Sequence, residues 1–335
     1  MSRVAPDAIL LNGNEPAGES YARVSWRRFG RNRLSLVAVW YIVAMAAIAL
    51  FAPFLATSAP LLEKGEDGWR SPALTGRSDL DATQRVRSFA IHAPVPVSPT
   101  VIDLSVRLSP PSWKHPLGTD DLGRDVLSRM IHGARISLAV GLLATLIALV
   151  AGSILGAIAG YYGGAADWIV SRLIEVVLCF PFLFLVLAIV ALFKPSIYTV
   201  MIALGLTSWT SEARLVRGEF LRIRELEFAE AARASGAGDA RIIFRHLLPN
   251  ALAPVLVSAS FGVATAILTE SALSFLGLGV PLPMASWGSI LASAREHIDY
   301  AWWLVLFPGL AIFTTVAAFN LAGERLRETL DPRSS

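Results

Sequence analysis

The chain is poor in side-chain constellations that make or break covalent bonds. Its lysines, Lys64, Lys114 and Lys194, neither follow Gly nor precede Ser or Thr, so the sequence holds no phosphate-cradling loop. It has no His-Glu-x-x-His and no Gly-x-Ser-x-Gly pattern, the signatures of common membrane proteases and hydrolases. The five histidines, His92, His115, His132, His246 and His297, show no metal-ligand spacing. The single cysteine, Cys179, excludes an internal disulfide and a thiolate metal site. Between Leu178 and Phe180 it reads as a small apolar core residue. Asp120, Asp121 and Asp125 lack the regular oxygen spacing of a calcium loop and read as caps and salt-bridge partners. The chain is expected to be no enzyme, and to bind no metal or cofactor of its own.

What remains is docking chemistry. Between two long apolar runs lies a polar, Arg-rich segment, 219–249. Its first arm, 219–235, offers three i,i+3 ion pairs: Arg222 with Glu225, Arg224 with Glu227, and Glu230 with Arg233. Ala229, Ala231, Ala232 and Ala234 favour helix and leave a low surface that another protein can approach. Gly236 suits a left-handed C-cap. Asp239 is expected to cap a second helix, 240–248, carrying Arg241 and Arg245, with Leu248 at its end and Pro249 terminating it. The expectation is two helices at an angle around a compact corner.

Two features lie inside apolar runs. Glu270, with Ser271 and Ser274, is a carboxylate near the end of a span, costly in lipid unless it meets water, a partner or cargo. It reads either as part of a translocation path or outer gate, or as a structural hydrogen bond within the bundle. Gly152, Gly156 and Gly160 stand at four-residue steps on one helical face and let another helix approach closely, as static packing or as a moving interface.

The elements that position these residues follow from composition. Hydrophobic residues make up 54% of the chain and charged residues 16%, with a mean hydropathy of +0.57. Lipid is the expected solvent and helix the expected form. Six runs are long enough to span: 34–55, 136–161, 168–193, 197–216, 251–279 and 301–323. Net charge is only +3, which gives no argument for nucleic acid. The arginines cluster before the first run, in the fourth-to-fifth connection and after the last run. Cationic loops stay in the cytoplasm, so both termini and the 219–249 hairpin are expected there. The expected units are a cytoplasmic tail (1–33), an anchor helix (34–55), an extracytoplasmic segment (56–135), a core (136–323) and a cytoplasmic tail (324–335).

Residues 56–115 are rich in Pro, Ser and charge and read as an irregular surface loop or a small lobe, with short extended pieces around Val95, Val97, Val101, Ile102, Leu104 and Val106. Thr119 or Asp120 is a plausible cap for an amphipathic surface helix that leads into the second span. Pro181 is expected to kink the third span, and Arg172 to pair with Glu175. Tyr300, Trp302 and Trp303 fit an interfacial aromatic belt.

The pattern Glu230-Ala231-Ala232, then Gly236, then Leu248-Pro249, resembles the EAA loop of permease subunits of ATP-binding-cassette importers, with His246 where that loop has Ile. Other segments, in order, resemble the C-type permease of dipeptide, oligopeptide and nickel importers. They are Trp26-Arg27-Arg28-Phe29, His115-Pro116-Leu117-Gly118-Thr119-Asp120-Asp121-Leu122-Gly123-Arg124-Asp125, Gly133-Ala134-Arg135-Ile136-Ser137-Leu138, Ser274-Phe275-Leu276-Gly277-Leu278-Gly279 and Ser286-Trp287-Gly288. The likeness runs from about residue 23 to 330 and is poor over 57–112. It implies an all-α, polytopic type I importer permease fold of about six transmembrane helices in a bacterial cytoplasmic membrane. It also implies a half-channel completed by a second related permease. Two ATPase subunits would bind ATP and Mg, and an extracytoplasmic solute-binding protein would deliver cargo. In that family the EAA hairpin enters a groove on an ATPase subunit and couples ATP-driven closure to the switch from inward- to outward-facing helices.

The branch signature favours peptide cargo, although nickel importers share it. A secondary transporter would be expected to keep ionisable groups at the midplane for ion coupling, where Glu270 is the main candidate. A membrane scaffold without transport is a third reading.

Overall fold

A computed structural model describes residues 33–65, 68–71, 89–194 and 196–330. The N-terminal Arg cluster before residue 33 and Arg333 lie outside the described residues. Helix α1 (Arg33–Leu55) is followed by three short strands, β1 (Leu62–Gly65), β2 (Gly68–Arg70) and β3 (Phe89–Ile91). They form an antiparallel sheet in the order β2-β1-β3, with Glu63 opposite both Arg70 and Ala90. The extended pieces expected further on are largely loop. Val95 only bridges Ala56, and Leu104–Val106 is a 3-10 turn capped by Asp103. Asp103 accepts the Ser105 hydroxyl at 2.5 Å and the Ser105 amide at 3.0 Å, which holds its carboxyl below the usual carboxylate range.

Helix α2 (Val126–Tyr162) is the mast of the molecule. Its 37 residues rise about 55 Å, well beyond a hydrocarbon core of roughly 30 Å. No separate surface helix precedes it: the turn 118–125 runs straight into the mast, and the cap is Asp125, which accepts the Ser128 amide at 2.8 Å. Asp120 instead organises the turn, because Arg124 and Arg129 each place a guanidinium nitrogen 2.8 Å from its Oδ2. Asp120, Arg124 and Asp125 are therefore buried, and within the triplet only Asp121 keeps an accessible carboxylate. Trp303 is buried too: its indole N–H donates to the Thr119 carbonyl at 3.0 Å. Of the expected aromatic belt, Tyr300 and Trp302 are the exposed members.

Beyond α2 come α3 (Gly164–Leu178), α4 (Phe182–Leu192) and α5 (Ile197–Ile223). The expected third span is not one helix. α3 and α4 meet at 85°, with Pro181 as the N-cap of α4. Proline has no N–H to donate and disfavours helix in the residue before it. Cys179 sits in this break and is exposed, not a core residue. Arg172 and Glu175 pair at 2.5 Å on α3. The chain then makes α6 (Glu227–Ala234), a helical turn (Asp239–Arg241), a π-helical stretch (Ile242–Leu247), α7 (Leu248–Phe275), α8 (Trp287–Ser293) and α9 (Trp303–Leu330).

Four stretches are long and apolar enough to cross a membrane, Arg33–Leu55, Val126–Tyr162, Asp239–Phe275 and Trp303–Thr329, or five if the bent pair counts as one. Of the six expected runs, two do not pass on length and composition alone: the third is broken, and α5 is too polar. α5 carries Thr207, Thr210 and Glu212 among its buried residues and is wrapped by α2, α4 and α7, so it need not be apolar all round. The Gly152, Gly156 and Gly160 face of α2 meets α5 backbone to backbone. A Cβ on these residues would lie 2.5 Å from Glu212 Cβ, Ala213 O and Phe220 Cβ, respectively.

Candidate functional site

The hairpin forms at one end of the α2–α5 pair. α5 does not run on to Ser235. It stops at Ile223, turns through Arg224–Leu226 and restarts as α6. The break has a cause: Arg224 Nη1 donates to the carbonyls of Gly160 at 2.9 Å and Tyr161 at 3.3 Å, capping the last turn of α2. The expected ion pairs are accordingly replaced. Arg222 pairs with Glu219 at 2.7 Å and Arg224 with Glu225 at 2.9 Å. Glu230 makes no ion pair among the described residues, and the Arg233 guanidinium lies 5.9 Å from the Tyr161 ring centre.

α6 ends in a Schellman motif. The Gly236 amide donates to Arg233 O at 2.9 Å and the Ala237 amide to Ala232 O at 3.1 Å, with Gly236 at φ +79°. The second arm starts with Gly238, not Asp239, as its N-cap. Asp239 is instead the acceptor of the Tyr161 hydroxyl, 2.7 Å away. Pro249 does not terminate the arm. The π-helical stretch, in which the Leu248 amide reaches back to Ile243 O, lets the chain pass Pro249 in the first turn of α7. Asn250 Nδ2 donates to His246 O at 2.6 Å, satisfying a carbonyl at this irregular junction.

The hairpin therefore has two faces. Ala229, Ala232, Ile242 and Leu247 are buried with Val216, Phe220 and Ile223, and Leu248 is half-buried beside them. Glu230, Ala231, Arg233, Gly236, Asp239, Arg241, Phe244, Arg245 and Pro249 are exposed, as is Phe228 on the first arm, so the accessible face carries charge and two aromatic rings.

Glu270 lies elsewhere, at the far end of α7, and is fully buried. Its Oε1 accepts the hydroxyls of Ser274 and Ser286, both at 2.7 Å, while Ser137 Oγ lies 3.5 Å from Oε2. Ser137 Oγ also accepts the Trp287 amide at 3.1 Å. Ser271 lends its hydroxyl to Ile267 O. This knot ties α2, α7 and α8 together.

A third place was missed by the sequence reading. A cavity of about 380 Å³ opens between α2, α5 and α7 beside the α3–α4 break. Glu212 lines it, 6% exposed, with Oε1 accepting the Ser258 hydroxyl at 2.7 Å and Oε2 without a partner. A visible signal existed: Ser258, Gly262, Thr265 and Thr269 recur at helical spacing, opposite Thr207, Ser208 and Ser211.

Packed apolar helices, a cavity with polar groups set in a largely apolar wall, and a polar hairpin at one end fit a polytopic membrane permease. The comparisons agree. Residues 152–335 match the family described as binding-protein-dependent transport system inner membrane component, and residues 20–67 match the N-terminal transmembrane domain of oligopeptide transport permease C. The chain is 40% identical to the dipeptide transport system permease protein DppC of Alkalihalophilus pseudofirmus, over 95% of this chain and 93% of that protein. It is 37% identical to the di/tripeptide transport system permease protein DppC of Pseudomonas aeruginosa, over 92% and 91%. The glutathione transport system permease protein GsiD of Pectobacterium atrosepticum is 44% identical over 67% of this chain and 74% of its own length. An inward-facing structure of the MetNI methionine ABC transporter aligns with TM-score 0.50 at 20% identity, over 60% of this chain and 96% of that one, a likeness of fold. The chain belongs to the family of inner-membrane permease components of binding-protein-dependent ABC importers. It is a multi-pass membrane protein.

Proposed function

We propose that this chain is one half of the translocation channel of an importer for short peptides. A second, related permease forms the other half, two ATPase subunits bind ATP and Mg beneath it, and an extracytoplasmic solute-binding protein delivers cargo. The hairpin 219–249 and both chain termini lie in the cytoplasm, α5 crosses the bilayer inside the bundle, and 56–135 lies outside. Glu270, Ser271 and Ser274 stand at the outer end of the path. Peptide cargo rests on the relatives, two of which are named as dipeptide or di/tripeptide permeases and cover more than nine-tenths of the chain.

The observation that carries the coupling role is the two-faced hairpin. Its buried face is fixed to α5 and α7, and Arg224, Asp239 and Arg233 fix it to the end of α2. A push on the exposed face, from Glu230 to Arg245, is thereby passed to three long helices. ATP then acts through its partners' differential affinity for one of two helix arrangements. On the other side Trp113, fully exposed, and Asp121 offer contacts to the binding protein in place of the buried Asp120, Arg124 and Asp125.

The test is uptake of radiolabelled di- and tripeptides by proteoliposomes holding both permeases, the ATPases and the binding protein. The expected result is uptake that requires ATP on the cytoplasmic side and all partners. Uptake driven by an ion gradient without the ATPases, or uptake of nickel but no peptide, overturns the reading.

A further inference from the structure

The cavity beside Glu212 has an unusual balance of hydrogen-bonding groups. Thr207 donates its hydroxyl proton to Ala203 O at 2.8 Å, Thr265 to Phe261 O at 2.9 Å and Thr269 to Thr265 O at 2.8 Å. Each hydroxyl has one proton to give, so toward a guest in the cavity these three can only accept. Ser258 spends its proton on Glu212 Oε1. Glu212 Oε2 and Thr145 Oγ1 are buried without partners. No Lys, Arg or His lines the space among the described residues. A carboxylate in a membrane bundle is costly unless it is paired, and an unpaired buried acceptor carries a desolvation penalty.

Thr145, Ser208, Thr210 and Ser211 add hydroxyls that can donate or accept. A cation-free cavity whose one ionisable group is a carboxylate with a free oxygen, ringed by hydroxyls able to accept, is complementary to a group with several N–H donors and positive charge. We propose that Glu212, backed by Ser258 and Thr145, is a transit site that receives the protonated amino group of the cargo inside the bundle. The inference rests on the peptide-importer reading and adds a residue and a chemistry to it. An ammonium has three donors, enough for the free Glu212 oxygen and two hydroxyl acceptors at once. The apolar wall from Phe180 and Phe182, at the α3–α4 break, suits the organic part of such a cargo. A free carboxylate end meets repulsion at Glu212, so the site sets the orientation in which a zwitterionic peptide passes.

The experiment uses the full importer in proteoliposomes with radiolabelled alanyl-alanine as the probe. Glu212→Gln keeps size and hydrogen bonding and removes the charge. Uptake should fall about tenfold or more, as for loss of a charge-assisted hydrogen bond. Glu212→Asp, which keeps the charge, should recover most of it. Copurification with the partner subunits checks assembly. Should Glu212→Gln fail to assemble, Thr265→Lys places a tethered ammonium beside the site and should block uptake, whereas Thr265→Met, of similar bulk, should not. Wild-type uptake by Glu212→Gln, or by Thr265→Lys, overturns the site and leaves the peptide reading intact. No dipeptide uptake by the wild-type importer removes that reading and the site with it.

Discussion

The Tyr161 hydroxyl donates to Asp239 at 2.7 Å across 78 positions of chain, joining the last turn of α2 to the second arm of the hairpin. The same ring lies under Arg233 on the first arm, 5.9 Å from its centre. One side chain thus touches both arms. Its neighbour Gly160 receives Arg224.

Tyr161→Phe keeps the ring under Arg233 and deletes only the hydroxyl. A hydrogen bond of this exposure is worth about 1 kcal/mol, so the protein should assemble normally. Stimulation of the ATPases by loaded binding protein should drop a few-fold. Asp239→Asn, which still accepts, should be milder. Equal stimulation in wild type and Tyr161→Phe would show that the Tyr161–Asp239 hydrogen bond takes no part in coupling.

Gly156→Val inserts bulk where a Cβ already meets Ala213 O at 2.5 Å and Val216 Cβ at 2.9 Å. α2 and α5 must part, at a cost of about 1–3 kcal/mol or more. The amount of chain in the membrane and its copurification with partners should both fall. Gly218→Ala, on α5 with open space around it, is the control and should match wild type. A normal yield of Gly156→Val would mean that the close approach carries no stability.

Glu270→Gln addresses the buried knot. The amide still offers an oxygen to Ser274 and Ser286, so assembly should survive. As part of the outer gate, its replacement should lower uptake several-fold. Glu270→Ala leaves three serine hydroxyls around an empty space and should lower assembly as well. Unchanged uptake in Glu270→Gln leaves Glu270 a purely structural residue.

Topology is open to direct measurement. In a Cys179→Ser background, cysteines at Trp113 and Ser235, both exposed, should react with an impermeant thiol reagent from opposite sides of the membrane. Reaction of both from the same side rejects the proposed orientation.

Periodic features were the legible ones. Glycines 152, 156 and 160 declare a close helix approach because the face repeats every four residues. Pro181 declares an interruption because it lacks an N–H, although its 85° size depends on packing that no local rule contains. Partner choice was not legible. Arg224 has Glu225 and Glu227 nearby in sequence, and the second of these lost to the carbonyls of Gly160 and Tyr161, which become neighbours only when α2 and α5 are packed. Asp120 read as a cap or a salt-bridge partner, but its burial with Arg124 and Arg129 was not legible, because the fold around them creates it. The Glu212 cavity was hardest, since its hydroxyls come from three helices and each alone resembles an ordinary polar helix residue.

The coupling role stands or falls at the Gly236 corner. A Cβ there meets nothing within 4 Å, so bulk alone costs little, but the backbone sits at φ +79°. A β-branched residue is strained in that region by about 1–3 kcal/mol, enough to unwind the Schellman motif and swing the second arm. Gly236→Val should therefore insert, since it lies outside the helices that cross the membrane, and lose uptake. Gly236→Asn, which tolerates the left-handed region, should retain most of it. Glu230→Lys acts on the exposed face. Glu230 has no partner among the described residues, so the change costs the fold little, while like charges at a docking surface can cost several kcal/mol. Both Gly236→Val and Glu230→Lys should abolish the rise in ATP hydrolysis caused by cargo-loaded binding protein. Copurification of the ATPases separates the two causes: weakened in Glu230→Lys, better preserved in Gly236→Val, where the surface survives but its angle does not. Full stimulation in both variants would refute the hairpin as the coupling element.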